Sequence, residues 1–230
     1  GVVVVDRDAD AAAGLQRDLV TDRVEILVAD NQAESTPALA VDRALHRFGR
    51  LDGLVNNAGI GLVKPTAEIA DADFDRLLDV DFRAAFRFCR AAIPSMLPAG
   101  GAIVNIGSVH ARQTIRGYGA YAAVKSGLEG LTRGIAADYG PHGIRANCIH
   151  PGLVMSPQNR ALIAAFASDP DAWLRSFLAT KQLVPRFVTA REVGEMAALL
   201  LGPDGASITG QSITIDGGSS AMLYEREASS

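Results

Sequence analysis

The chain has 230 residues, of which 48% are hydrophobic, 21% charged and 6% aromatic, and its formal net charge is −4. That size and composition suit one globular domain with a substantial core and exclude a disordered chain or a fibre. The negative balance, without any run of Lys or Arg, argues against a nucleic-acid partner.

An apolar β-branched run at 2–5, closed by Asp6, predicts a first strand, and an alanine-rich pattern over 9–20 predicts a helix. A second strand follows at 24–28, close before Asp30, then a helix over 35–48 and a third strand over 51–55. One long helix is expected over 73–96, a strand over 103–106, a helix over 118–139 and a strand over 144–149. Residues 156–185 read as a mobile stretch holding short helical patterns. A last helix over 189–201 leads to a strand over 211–215. Short apolar strands alternating with longer helices form βαβ units, which predicts an α/β fold with a parallel sheet covered on both faces. No repeat or linker-like composition divides the chain, so 1–230 reads as a single domain.

The uncharged stretch 91–109 is broken by Pro94, Pro98, Gly100 and Gly101, and reads as helix end, turn and strand rather than a membrane span. Cys89 and Cys148 stand apart in apolar surroundings, without ligand-like spacing. Two buried thiols in a reducing, cytoplasmic compartment are therefore expected, with no metal and no membrane partner.

Parallel sheets bind ligands beyond the carboxyl ends of their strands. Asp6, Asp30, the run Asn56-Asn57-Ala58-Gly59, Ser108 and the segment from Asn147 to Pro151-Gly152 occupy such ends. Singly, several of these are ordinary turn formers; as a set they suit a cofactor cleft. Tyr121 and Lys125 lie four apart on an expected helix and so share one face. An ammonium there favours the phenolate electrostatically, which suits proton transfer. A βα loop can bring Ser108, at the end of the preceding strand, beside the phenol.

These marks together resemble the short-chain dehydrogenase/reductase family. The resemblance rests on Asp6, Asn56-Asn57-Ala58-Gly59, Ile106-Gly107-Ser108, Tyr121-Ala122-Ala123-Val124-Lys125, Asn147 through Pro151-Gly152, and Asp216-Gly217-Gly218. It implies a Rossmann-like, doubly wound, three-layer αβα fold and a hydride exchange between a nicotinamide cofactor and a small-molecule alcohol or ketone. By that resemblance Tyr121 is the general acid or base, Lys125 holds the nicotinamide ribose, and Ser108 positions the substrate oxygen. Asp6 would accept from the adenosine ribose hydroxyls and repel a 2′-phosphate, so NAD is favoured over NADP despite the adjacent Arg7. Asp30 would lie near the adenine, and Asn57, Ala58 and Gly59 near the adenosine ribose. Pro151, Val154 and Ser156 would hold the nicotinamide carboxamide. The resemblance also implies a substrate lid over 156–185 and a homotetramer or homodimer paired through the last strand. The apolar side chains Met155, Leu162, Phe166 and Leu178 favour a hydrophobic or cyclic substrate.

Two departures stand out. Asp81 occupies the position where the family usually has an asparagine, and it must carry a proton, pair with a cation or mark an altered relay. The glycine-rich turn that would place a pyrophosphate on a helix N-terminus does not precede residue 2, and Gly14 is no substitute. About thirty residues of the first βαβ unit are therefore expected to be missing. The gap would measure twice the usual strand spacing of about 4.8 Å. An N-terminally truncated fragment is the favoured explanation; the alternatives are that 2–5 has taken the vacant position or that the fold is rearranged. The same gap motivates a rival reading, a cofactor-free pseudoenzyme or oligomeric scaffold. An epimerase or dehydratase is disfavoured by the lack of an added substrate domain. His110 and His150 read as loop and turn residues, and His46 and His142 as solvated. Trp173, Phe166, Phe177 and Leu178 fit helix packing and lid equally well.

Overall fold

Four successive β-branched valines resist helix and favour the pleated strand, and Val2–Asp6 forms β1. The computed structural model describes residues 1–18 and 23–222, so the last two positions of the helix expected over 9–20 lie outside the described residues. Helix α1 spans Ala9–Asp18 and leads towards β2, Val24–Val28. β1 and β2 run parallel, with Val2 opposite Val24 and Asp6 opposite Val28. Helix α2, Thr36–Phe48, carries a proline in its first turn and stops at Gly49 in the left-handed conformation, φ 75°. β3, Gly53–Asn56, follows.

The long helix expected over 73–96 is three pieces. α3, Asp71–Leu78, passes into a π-helical turn at Asp79–Arg83 and resumes as α4, Ala84–Met96. Residue periodicity does not reveal such a turn, because it shifts the helical phase without a proline or glycine to mark it. β4 spans Gly101–Ile106, α5 Gly119–Tyr139 and β5 Ile144–Pro151. The stretch expected to be mobile holds two defined helices, α6, Pro157–Phe166, and α7, Pro170–Lys181. Each starts with a proline and is capped, by Ser156 and Asp169 respectively. α8, Ala190–Leu201, opens with a reciprocal capping box between Thr189 and Glu192, and β6 is Ser212–Ile215.

β3, β4, β5 and β6 form a second parallel sheet in that order. Successive side chains of a strand point to opposite faces, and the two faces of β4 show the layering. Ile103 packs with Ile93, Met96, Ile135 and Ile144 on one face. Val104 packs with Ile149, Ala197 and Leu200 on the other. The expected three-layer α/β fold is thus present. Val3 and Val5 of β1 and Leu54 of β3 share one cluster with Leu27, Ala40 and Phe88.

β1 pairs with β2 and not with β3, so residues 2–5 have not taken the position beside β3. Between the facing edges of β1 and β3 lies an open cavity of about 1110 Å³, floored in part by Ala84, Phe88 and Ala92.

Candidate active site

The site is built where β4 ends and α5 begins. Ser108 follows β4 in extended backbone and starts a short 3₁₀ turn, Val109–Ala111. Its Oγ accepts from the His110 amide at 3.2 Å. That leaves the hydroxyl proton to donate elsewhere. Tyr121 and Lys125 lie one turn apart on α5, with the Lys125 Nζ 5.7 Å from the Tyr121 ring centroid. The His110 ring stacks on Tyr118 at 4.3 Å and meets Tyr121 edge-on at 5.7 Å, and its Nδ1 lies 3.0 Å from the Thr114 hydroxyl. His110 therefore joins Ser108 to Tyr121, through its amide on one side and its ring on the other. Burial holds the His110 imidazole below its ordinary range, so the ring is uncharged at neutral pH. Burial, with Tyr121 nearby, pushes the Tyr118 phenol up.

Lys125 is almost fully enclosed. Its Nζ donates to the Ile106 carbonyl at 3.2 Å and lies 3.1 Å from Asp81 Oδ2. The pair is an ion contact without the alignment of a hydrogen bond, since Asp81 Oδ2 has no hydrogen-bond partner. Asp81 Oδ1 accepts from the Ile60 amide at 2.8 Å. Asp81 lies in the π-helical turn, buried to 1% exposure. Burial pushes its carboxyl up, against the pull of Lys125 and the Ile60 hydrogen bond. Of the readings open for Asp81, the structure shows pairing with a cation, and that cation is Lys125.

This pairing also explains Gly59. A Cβ there would meet Asp81 Oδ2 at 3.0 Å and Lys125 Nζ at 3.2 Å. The close approach required of Gly59 is thus to the buried ion pair. The preceding turn is pinned from below: Asn56 Nδ2 donates to Asn105 Oδ1 at 2.8 Å, and Asn105 Nδ2 donates to Thr132 Oγ1 at 2.9 Å. This buried network ties β3, β4 and α5 together beneath the site. Asn147, another strand-end residue, bridges instead to Ile208 and Gln211 and has a structural task.

Asp6, Asp30, Asn57, Ala58 and Gly59 all line the cavity between β1 and β3. Asp6 Oδ1 accepts from the Asp8 amide at 2.9 Å, and Asp30 Oδ1 from the Gln32 amide at 2.9 Å. Both carboxylates are exposed at their strand ends, and Arg7 lines the same cavity. Pro151 ends β5, Val154 and Ser156 follow it, and all three are half-buried. Val154 bridges to Val188, and Ser156 Oγ accepts from the Asn159 amide as the cap of α6. Beyond them, Phe166, Trp173, Phe177 and Phe187 form a row of ring contacts 5.3–6.1 Å apart.

Sequence reasoning missed Glu129 and assigned His150 only to a turn. His150 is wholly buried; its Nδ1 accepts from the Ser108 amide at 3.0 Å, and its Nε2 lies 2.6 Å from Glu129 Oε1. Glu129 continues the Tyr121–Lys125 face of α5 by one further turn, which is the signal that could have found it. His46 and His142 are exposed, as expected. Cys89 and Cys148 are buried free thiols, each pushed up to about 12 by burial.

The chain is similar to known proteins over most of its length. Residues 1–220 match a family model described as enoyl-(acyl carrier protein) reductase. The chain is 37% identical over 183 residues to trans-4-hydroxycyclohexanecarboxylate dehydrogenase of Sinomonas cyclohexanicum, covering 79% of this chain and 65% of that protein. It is 35% identical to levodione reductase of Leifsonia aquatica over 84% of this chain and 73% of the relative. Its fold superposes with a TM-score of 0.84 on a gluconate 5-dehydrogenase from Burkholderia cenocepacia J2315 in complex with NADP and tartrate. That match has 28% identity and covers 96% of this chain and 86% of the other.

Proposed function

The chain belongs to the oxidoreductases of the short-chain dehydrogenase/reductase family, and from that premise we propose that it exchanges a hydride between NAD(H) and a secondary alcohol or ketone. The observation that carries this reading is the buried Lys125 ammonium, held by Asp81 and the Ile106 carbonyl beside Tyr121. In the oxidation direction Tyr121, acting as the phenolate beside the Lys125 charge, takes the hydroxyl proton of the alcohol and becomes the neutral phenol. The Ser108 hydroxyl donates to the substrate oxygen and fixes it against the phenol. In reduction the same groups work in reverse, with Tyr121 donating. Such acid–base help is worth about 10²–10⁴ in rate.

A nicotinamide ring supplies the hydride chemistry when bound. Its adenosine end suits Asp6, Asp30, Asn57, Ala58 and Gly59, because these residues line one cavity at the strand ends. The exposed carboxylate of Asp6 favours ribose hydroxyls over a 2′-phosphate, and so NAD over NADP. Tyr121 and Lys125 take the nicotinamide ribose, and Pro151, Val154 and Ser156 the carboxamide. The substrate is apolar or cyclic. The uncharged His110–Tyr118 stack beside Tyr121 supports this, as does the aromatic row from Phe166 to Phe187 in a lid over 156–185.

Among the described residues β6 is the edge strand of its sheet, which supports association into a homodimer or homotetramer through that strand. No described helix is long and apolar enough to cross a membrane, and the two buried thiols accord with the cytoplasm. The reading is tested by nicotinamide-coupled turnover of trans-4-hydroxycyclohexanecarboxylate, which Tyr121→Phe should abolish without unfolding the protein.

A further inference from the structure

Ser108 needs more than its place at the end of β4, because a hydroxyl misplaced by a fraction of an ångström no longer meets a substrate oxygen held by Tyr121. Its amide has one partner, the Nδ1 of His150, at 3.0 Å. An imidazole nitrogen accepts only when it carries no proton, so this bond selects the tautomer protonated at Nε2. That proton faces Glu129 Oε1 at 2.6 Å. Glu129 Oε1 in turn accepts from Arg112 Nε at 2.9 Å, and Arg133 lies 3.6 Å from Oε2.

Burial holds the His150 imidazole below its ordinary range, against the pull of Glu129, which keeps Nδ1 free to accept at neutral pH. Although burial opposes it, hydrogen bonds from Arg112 and His150 hold the Glu129 carboxyl below its usual range. The ring also sets the identity of its neighbour: a Cβ on Gly107 would lie 2.4 Å from His150 Nδ1 and 2.6 Å from Cε1. Glycine is the residue that lets the imidazole lie against the strand end that carries Ser108.

We propose that Arg112, Glu129 and His150 form a positioning relay that fixes the Ser108 amide and so sets its hydroxyl in register with Tyr121. Tyr121, Lys125 and Glu129 occupy successive turns of one face of α5. The relay therefore clamps the helix bearing the phenol to the strand end bearing the hydroxyl, through the C-terminal end of β5. None of the three relay residues touches substrate; each acts through Ser108. The inference rests on the dehydrogenase reading above.

The two amide substitutions of His150 separate positioning from packing. Asparagine places an acceptor where Nδ1 stands and loses the reach to Glu129. Glutamine places a donor where Nε2 stands and leaves the Ser108 amide without its acceptor. The assay is oxidation of trans-4-hydroxycyclohexanecarboxylate with NAD by the wild type, His150→Gln, His150→Asn and Tyr121→Phe. The expected result is a kcat about tenfold lower in His150→Gln with KM little changed, and a smaller loss, about threefold, in His150→Asn, which keeps the acceptor for the Ser108 amide but loses the hold of Glu129. Equal losses in the two variants, or none in His150→Gln, would overturn the relay.

Nitrogen-15 NMR of the imidazole in the wild type gives an answer independent of variant folding. Nε2–H is expected, and the Nδ1–H tautomer would overturn the proposal. Failure of the dehydrogenase reading has a different signature: the wild type and all variants would then be equally inactive. An active wild type beside an inactive Tyr121→Phe, with His150→Gln unaffected, would sink the relay alone.

Discussion

Replacing Asp81 by asparagine sets two effects against each other. Removing one partner of a buried ion pair ordinarily costs about 3–5 kcal/mol, because the other charge is left uncompensated. Here burial raises the Asp81 carboxyl more than Lys125 lowers it. Folding therefore penalises the carboxylate relative to its protonated form even with the ammonium 3.1 Å away. Asparagine is the nearest neutral isostere and keeps an oxygen to accept from the Ile60 amide. The expected change is within about 1 kcal/mol of wild type at pH 7, or a Tm shift within about 4 °C for a chain of this size.

Asp81→Ala is the comparison. It strands the part-buried Ile60 amide and opens a void, and should cost about 2–4 kcal/mol. The pH dependence follows from the same shift. A carboxyl raised by folding contributes stability that is complete below its unfolded value and is lost as pH rises through its folded value. The asparagine variant lacks this slope, so its stability relative to wild type should improve between about pH 4 and about pH 7. Urea denaturation at both pH values measures it. A loss of 3 kcal/mol or more in Asp81→Asn at pH 7, or a difference that worsens with pH, would refute the reasoning.

Gly107→Ala should lower Tm by several degrees, since overpacking a tight site costs about 1–3 kcal/mol and the added Cβ would sit 2.4 Å from His150 Nδ1. An unchanged thermal melt would show that the imidazole yields freely. Cys89 and Cys148, pushed up to about 12 by burial, should resist a thiol reagent in the native protein and react only on unfolding. Rapid native labelling at about pH 8 would contradict their burial.

Local chemistry made much of this fold legible. The valine run at 2–5 had to be strand, and Tyr121 and Lys125 shared a face because four residues span about one helical turn. Interactions between elements distant in the chain were not legible. Asp81 was conspicuous as a residue, but its partner depended on a π-helical turn that no propensity marks. Glu129 and His150 come from different elements, and only the packing of α5 on β5 brings them within 2.6 Å. Gly59 read as part of a strand-end turn and Gly107 only as part of the Ile106-Gly107-Ser108 motif, yet the approach of a buried side chain explains each of them. The stretch 156–185 looked mobile because its helices are short and mixed in pattern; proline starts and capping side chains define them.

In the proposed reaction Tyr121 transfers the substrate proton beside a nicotinamide. The measurement that meets it most directly is the rate of nicotinamide reduction by wild type and Tyr121→Phe, with trans-4-hydroxycyclohexanecarboxylate and a panel of other secondary alcohols, using NAD and NADP in parallel. Wild-type turnover with NAD in preference to NADP is expected, with a fall of about 10²-fold or more in Tyr121→Phe and its fold intact. Substantial turnover surviving in Tyr121→Phe would contradict the claim.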